Sequence, residues 1–343
     1  MHIGINTLPL DPHPFPHHAH RYLARVLACI RKEKQAIQFS CLHEEGRAPG
    51  LPELPAIPLE CKPGGLWRRG GANLDAAIAE HKIDLLLSAI QTPYTGQAVP
   101  QVLLALDLFP WDRNPAAPGI KTIKKACAQA RHIIAPSEHV RRRCLEVFEA
   151  SMEKIVVATP GVSTALSEPA TPFVEKPYIV FLYDPLTAPL LDKIRAALDA
   201  RIKEFPQTHV VVGPALPEEP AQWGPRVVRI EQCPDNHLGG LYREADFVLY
   251  AGPDDGSGLR VLEGLAAGAP VLAAGSRGVM ENAGDAPIYF NGESLDAYFQ
   301  SMKRILAEGG HARNKRIHTG QQIAARFRWD KTMWKVLSTF KAG

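Results

Sequence analysis

Asp255 and Glu263 stand eight positions apart around the loop Gly256-Ser257-Gly258 and the residue Leu259. The apolar run Phe247-Val248-Leu249-Tyr250 fits a buried parallel strand, and Asp254-Asp255-Gly256-Ser257-Gly258 is turn chemistry. Leu259, Leu262, Leu265 and Ala266 then fall at helical spacing, Gly268 suits the C-terminal stop, and Val271-Leu272 starts another strand. A glycine-rich loop between a strand end and a helix start aims backbone N–H groups at an anion such as a phosphate. Glu263 lies about one and a half turns into the helix, within reach of a hydroxyl beyond that anion. The plainer reading is a strand–turn–helix corner whose glycines only permit close packing.

A pair of acids at such a corner needs an α/β scaffold, and the rest of the chain alternates accordingly. Its 343 residues suffice for two domains, each with a core. Apolar runs predict strands over 2–5, 37–42, 83–88, 102–106, 131–135 and 154–158, and helical spacing predicts helices over 19–31, 73–81, 120–130 and 137–148. The Pro- and Gly-rich stretch 46–71 reads as a long surface loop. After a proline-bearing connection at 164–177, strands are expected over 178–182, 209–212, 227–230, 247–250, 270–273 and 288–290. Helices are expected over 188–205, 236–245, 258–267, 294–308, 312–326 and 331–340. That order implies parallel sheets with helices on both faces and ligands at the C-terminal strand edges. Domains over 1–170 and 171–327 follow, with a terminal segment over 328–343.

Composition narrows the function. No apolar run approaches the length of a membrane span, and the N-terminus Met1-His2-Ile3-Gly4-Ile5-Asn6 reads as a first strand rather than a signal peptide. Cys29, Cys41, Cys61, Cys127, Cys144 and Cys233 lack a CxxC pair and read as reduced thiols of a cytoplasmic protein. Net charge is +3, with its excess in the first half, densest from Arg113 to Arg143, where eight basic residues meet only Glu138. Such a face suits anionic lipid headgroups at the inner membrane surface or an acidic acceptor, or is a solvated helix face. It lacks the interleaved aromatics of a nucleic-acid binder, so no nucleic-acid partner is expected. There is no Gly-x-x-x-x-Gly-Lys-Ser/Thr phosphate loop, no dinucleotide fingerprint after the first strand, and no nucleophile elbow at Ser137 or Ser257.

The corner resembles that of the retaining glycosyltransferases of family 4 (group 1), whose hallmark is two acids eight positions apart around a Gly-x-Gly-Leu core. Asp255 stands where that family usually has Glu, and Arg260 where it usually has Pro. Further stretches match in order: Leu106-Asp107-Leu108, Ala135-Pro136-Ser137-Glu138, Thr159-Pro160-Gly161-Val162-Ser163, Leu241-Tyr242-Arg243-Glu244-Ala245-Asp246, and the loop from Gly275 to Ala286 with its Gly284-Asp285-Ala286 ending. The resemblance implies the GT-B architecture, two Rossmann-like doubly wound domains facing a central cleft, with the last helix crossing back to the first domain. It implies a nucleotide diphosphate sugar as donor, transfer with retention, and no metal or other cofactor. The diphosphate would lie over Gly256, Gly258 and Leu259 beside Arg260, with Glu263 on ribose hydroxyls and the base near Ile230 and Gln232. Asp255 and Asp107 would take the catalytic positions, Asp255 holding hydroxyls of the transferred sugar. A glycan, lipid-linked or protein acceptor would enter from the first domain, near His17, His18, His20 and Arg21. The resemblance also suggests a role in making a surface polysaccharide or glycolipid.

The chain departs from that pattern in three further places. The Gly-Gly loop after the first strand is replaced by a stretch from Pro12 to His20 with no glycine, the His of the His-Asp-Leu turn is Leu106, and the Arg and Lys after the first strand of the second domain are replaced by the stretch from Tyr183 to Pro189. Losing two cations beside a leaving diphosphate removes several kcal/mol of transition-state stabilisation unless Arg260, Arg277 or Arg21 replaces them. A second reading is therefore a weak or inactive glycosyltransferase-like subunit that binds a protein partner. A third is metal binding by His13, His17, His18 and His20, for which a Pro-rich loop offers no fixed geometry.

Overall fold

In a computed structural model, the described residues are 1–6, 17–34, 36–45, 51, 53–59, 71–91, 93–106, 108, 111, 114, 117–170, 174–183, 187–213, 226–231, 233–252 and 255–341, with backbone alone for 17–19 and 71–73. Two compact units result: Met1–Pro160 together with Trp329–Gly343, and Gly161–Arg328. The first runs β1 (His2–Asn6), α1 (His17–Glu33), β2 (Gln38–Glu44), β3 (Ala56–Leu59), α2 (Gly71–Glu80), β4 (Leu85–Ala89), β5 (Gln101–Leu104), α3 (Ile120–Gln129), β6 (His132–Ala135), α4 (Glu138–Phe148) and β7 (Ile155–Val157). The second runs β8 (Tyr178–Leu182), α5 (Ala188–Asp199), β9 (Thr208–Val212), β10 (Val227–Ile230), α6 (Asp235–Glu244), β11 (Val248–Tyr250), α7 (Leu259–Ala267), β12 (Val271–Ala274), α8 (Arg277–Ala283), β13 (Ile288–Phe290), α9 (Leu295–Leu306) and α10 (Gly310–Ala324). The last helix, α11 (Trp329–Phe340), returns to the first unit.

Both sheets are parallel and begin from a central strand. The first is ordered β3-β2-β1-β4-β5-β6-β7 and the second β10-β9-β8-β11-β12-β13. In each, the chain builds outward on one side, then restarts on the other, so the order reverses between β1 and β4 and again between β8 and β11. At such a switch point neighbouring strands send their loops in opposite directions and leave a crevice at the C-terminal edge. The central strand of the second unit shows why the sheet is covered on both faces. Tyr178, Val180 and Leu182 enter one core with α6, α7 and α10, while Ile179, Phe181 and Tyr183 enter the other with α5 and α9.

Three elements differ from expectation. The stretch 46–71 holds an edge strand, β3, in which Ile57 and Leu59 are buried while Ala56 and Pro58 face out, the edge position a proline tolerates. The glycine- and asparagine-bearing loop 275–286 contains α8, held by buried Val279 and Ala283. Helix α5 stops at Asp199 rather than 205; Phe205 reaches the core from the following turn and stacks on Phe299 with ring centroids 5.7 Å apart.

The segment after Pro160 is bound to the second unit. Val162 N donates to Phe327 O, and Arg243 Nη2 donates to Leu166 O and Glu168 O. Helix α11 is tied into the first: Tyr22 and Trp329 meet edge to face at 5.6 Å, Tyr22 Oη donates to Ala158 O, and Thr332 Oγ1 donates to Thr159 O. Acids answer much of the basic run of the first half, with ion pairs Lys124–Glu149, Arg141–Glu138 and Arg143–Glu146, while Arg131 donates to Phe340 O. Five cysteines among the described residues are free thiols, no described helix is long and apolar enough to cross a membrane, and no metal-ligating cluster occurs among the described residues.

Candidate functional site

The corner between β11 and α7 lies beside β8, at the switch point of the second sheet. Two backbone features shape it. Gly256 and Gly258 take φ of 70° and 63°, a region that side chains with a Cβ disfavour. A Cβ on Gly258 would also stand 3.2 Å from Val279 Cα of α8, so that glycine permits α8 to close on the loop.

Asp255 is fully buried and organises the turn. Its Oδ1 accepts from Ser257 N at 2.8 Å, from Gly258 N at 2.6 Å and from Ser257 Oγ at 3.4 Å. Ser257 Oγ in turn accepts from Leu259 N at 3.2 Å. The amides of Gly258 and Leu259, expected to lie open for a diphosphate, thus donate to side chains of their own loop. The negative carboxylate at the start of α7 complements the helix dipole. Asp255 Oδ2 is buried with no hydrogen-bond partner among the described residues. The loop is closed from the other side by Asn282 of α8, whose Nδ2 donates to Ser257 O at 2.7 Å.

Helix α7 is buried on nearly every side: all its residues except Ala266 are inaccessible. An all-round buried helix is normally apolar, and charges on it must be paired. Arg260 and Glu263 are 2% and 4% exposed. Spaced i, i+3 they share a helix face, with Arg260 Nε 3.7 Å from Glu263 Oε2. Arg260 Nη2 also donates to Val212 O, at the C-terminal end of β9, at 3.4 Å. The guanidinium therefore links the helix to a strand two places across the sheet. Tyr183, at the end of β8, lies beneath the Arg229 guanidinium at 5.1 Å.

The structure brings Asp255, Gly256, Gly258, Leu259, Arg260 and Glu263 together at one strand edge. Ile230 ends β10, the outer strand of the same sheet. Arg277 begins α8 and is exposed. In the first unit, His17, His18, His20 and Arg21 fall in the opening turns of α1, which follows central strand β1; His20 and Arg21 are half-buried there. The side chains of His17 and His18, together with His13, Asp107, Gln232 and the stretch 184–186, lie outside the described residues. Sequence reasoning missed Ser257, Asn282 and Val212 as parts of the corner. The signal for the first was a serine directly before Gly258; the others join through tertiary contact alone.

Comparison with known proteins adds to this geometry. No family model matches the chain. Over 252 residues it is 27% identical to the D-inositol 3-phosphate glycosyltransferase of Salinispora tropica, covering 63% of this chain and 52% of that protein. The chain spans only about half the length of the curated relatives it matches, between 50% and 60%. Among solved structures, the Anabaena protein Alr3699/HepE in complex with UDP-glucose superposes with a TM-score of 0.74 at 18% identity, covering 99% of both chains. Sucrose-phosphate synthase from Thermosynechococcus elongatus gives a TM-score of 0.73 at 15% identity, over 99% of this chain and 98% of that one. At these identities the likeness is one of fold. Two parallel-sheet units shared with solved glycosyltransferases, and sequence similarity to proteins named glycosyltransferases, agree that this chain has the GT-B glycosyltransferase fold.

Proposed function

We propose that the protein moves a sugar from a nucleoside diphosphate sugar to an acceptor, with the second unit binding the donor. The observation that carries this reading is the acid pair Asp255 and Glu263 on a glycine turn and buried helix at the switch point of that unit's sheet. An acid is suited to vicinal hydroxyls and a helix start to a diphosphate, and a nucleoside diphosphate sugar carries both. Glu263 would take the ribose hydroxyls, the start of α7 the diphosphate, and the end of β10 near Ile230 the base. The complex of the similarly folded HepE with UDP-glucose supports the donor class.

In the same proposal transfer proceeds with retention and without a metal, the helix dipole and nearby cations balancing the leaving diphosphate. The acceptor, a glycan, glycolipid or protein, binds the first unit beside Asp107 and the opening turns of α1. Because Asp255 is engaged by its own loop, its part in the reaction begins with shaping that loop. The same observation favours the second reading, a weak or inactive glycosyltransferase-like subunit that binds a protein partner.

Calorimetric titration of UDP, GDP, dTDP, ADP and CMP, and their common sugar conjugates, into wild type and Glu263→Gln tests the reading. Selective micromolar binding that Glu263→Gln weakens at least about tenfold supports it, and no binding to any of them overturns it. Tight binding with no sugar released or transferred from any conjugate selects the subunit reading.

A further inference from the structure

Among the described residues, Arg260 heads the large side chains that are almost fully buried, and it lies one helical turn before Glu263. A guanidinium stays charged at any physiological pH, so its burial demands an anion and further acceptors. The structure supplies Glu263 Oε2 at 3.7 Å from Nε and Val212 O at 3.4 Å from Nη2. These two contacts do different work. The first sets the guanidinium charge beside the Glu263 carboxylate from the N-terminal side of the helix, with no hydrogen bond between Nε and Oε2. The second fixes the guanidinium to the end of β9, so that the carboxylate is referenced to the sheet as well as to its own helix. A carboxylate that accepts two neighbouring hydroxyls must be held in one orientation, because both oxygens have to meet the ring at once.

We infer that Arg260 is a positioning residue, orienting Glu263 for the paired hydroxyls of a ribose-bearing ligand, and that it does not clamp the ligand's diphosphate. The inference rests on the donor reading of the preceding section. It replaces the expectation that Arg260 stands in for the cations missing near Tyr183. At 2% exposure, Arg260 turns Nη2 to Val212 O and Nε toward Glu263, both within the protein. A lysine would place a point charge near Glu263 but lacks the planar fork that engages both partners.

The test measures affinity for UDP, GDP and ADP, for their 2′-deoxy counterparts and for UMP, GMP and AMP, on wild type, Arg260→Met, Arg260→Lys and Glu263→Gln, with urea unfolding of each as the check on folding. Wild type is expected to prefer the ribonucleotide at least about tenfold, the scale of one hydrogen bond to a charged group. Arg260→Met should reduce that preference to within about twofold, and Arg260→Lys should restore part of it. In a Glu263→Gln background, Arg260→Met should change the preference no further. If Arg260→Met does not fold, Arg260→Gln, uncharged and still polar, takes its place with the same expected loss.

A folded Arg260→Met or Arg260→Gln protein that keeps the wild-type preference overturns the inference while leaving the donor reading intact. So does a variant that weakens ribo- and deoxyribonucleotides equally while losing the discrimination between diphosphate and monophosphate, since that is the signature of a diphosphate clamp. Wild type that binds none of the nucleotides overturns both.

Discussion

Replacing Asp255 separates its structural part from any chemical one. In Asp255→Ala, the amides of Ser257 and Gly258 lose the Oδ1 that accepts from both, within a buried turn. Leaving a buried donor unsatisfied costs about 1–3 kcal/mol, and the lost complement to the helix dipole adds a few tenths to about 1 kcal/mol. Removing a buried carboxylate oxygen that has no hydrogen-bond partner among the described residues returns part of this. A net loss of about 3 kcal/mol from the second unit is therefore expected. Asp255→Asn keeps the accepting oxygen and should stay within about 1 kcal/mol of wild type. Urea unfolding followed by circular dichroism gives the free energies, and hydrogen exchange over residues 251–264 gives the local effect. Exchange at Ser257 and Gly258 should accelerate in the alanine variant and hold in the asparagine variant. An alanine variant as stable as wild type, with unchanged exchange, would refute the capping role. If the carboxylate also meets the sugar, Asp255→Asn should bind nucleotide normally but lose affinity for the nucleotide sugar.

Other perturbations follow from buried groups of the second unit. Glu263→Ala leaves Arg260 buried without its ion-pair partner, so it should cost about 3 kcal/mol in urea unfolding, and adding Arg260→Met should recover part of that. His209 is fully buried against Phe181, and desolvation first, then the nearby Arg226, depresses its pKa from 6.5 to about 4. Between those values the unfolded chain binds the extra proton, so stability should be full above pH 6.5 and fall by about 3 kcal/mol as pH drops to 4. His209→Leu should flatten that slope in unfolding measurements repeated across this pH range. A Cβ on Gly239 of α6 would lie 2.1 Å from Leu166 O, so Gly239→Ala should destabilise the second unit by about 1–3 kcal/mol, seen as a lower urea midpoint, whereas an alanine at exposed Gly309, where nothing lies within 4 Å, should not.

The alternation of apolar runs made most of both sheets legible, because a parallel strand buried on both faces announces itself in four or five residues. What stayed hidden had local reasons. β3 carries a proline that argues against a central strand and fits an edge. α8 is only seven residues long, mixes good helix formers with Gly278, Val279 and Asn282, and is held by contacts of Val279 and Asn282 with the loop before α7. Phe205 extended an apparent helical face that the chain actually completes from a turn. At the site, spacing alone brought Asp255 and Glu263 to one corner, but spacing carries no direction. That Asp255 turns back onto its own amides depends on the two left-handed glycines that follow it. The pairing of Arg260 with Glu263 had a sequence trace, opposite charges three apart within Leu259-Arg260-Val261-Leu262-Glu263-Gly264-Leu265. Its meaning came only with the burial of the whole helix.

The strand order gives both units the same scaffold, and the difference between them lies in what stands at the reversal. In the second unit, the fourth strand of the order runs into a glycine turn, and the helix after it is closed in by α6, α8 and α10, with its two charges 3.7 Å apart inside that enclosure. If Arg260 orients Glu263 as inferred above, the carboxylate keeps its orientation whether or not a ligand is present. Preorganisation of this kind favours the binding of a ligand whose own hydroxyls are fixed on a ring, because neither side then loses much freedom on association. Two of the departures from the pattern that the sequence resembles, Arg260 for Pro and Asp255 for Glu, sit inside this enclosure. They alter how the two acids are held and leave the scaffold that presents them unchanged.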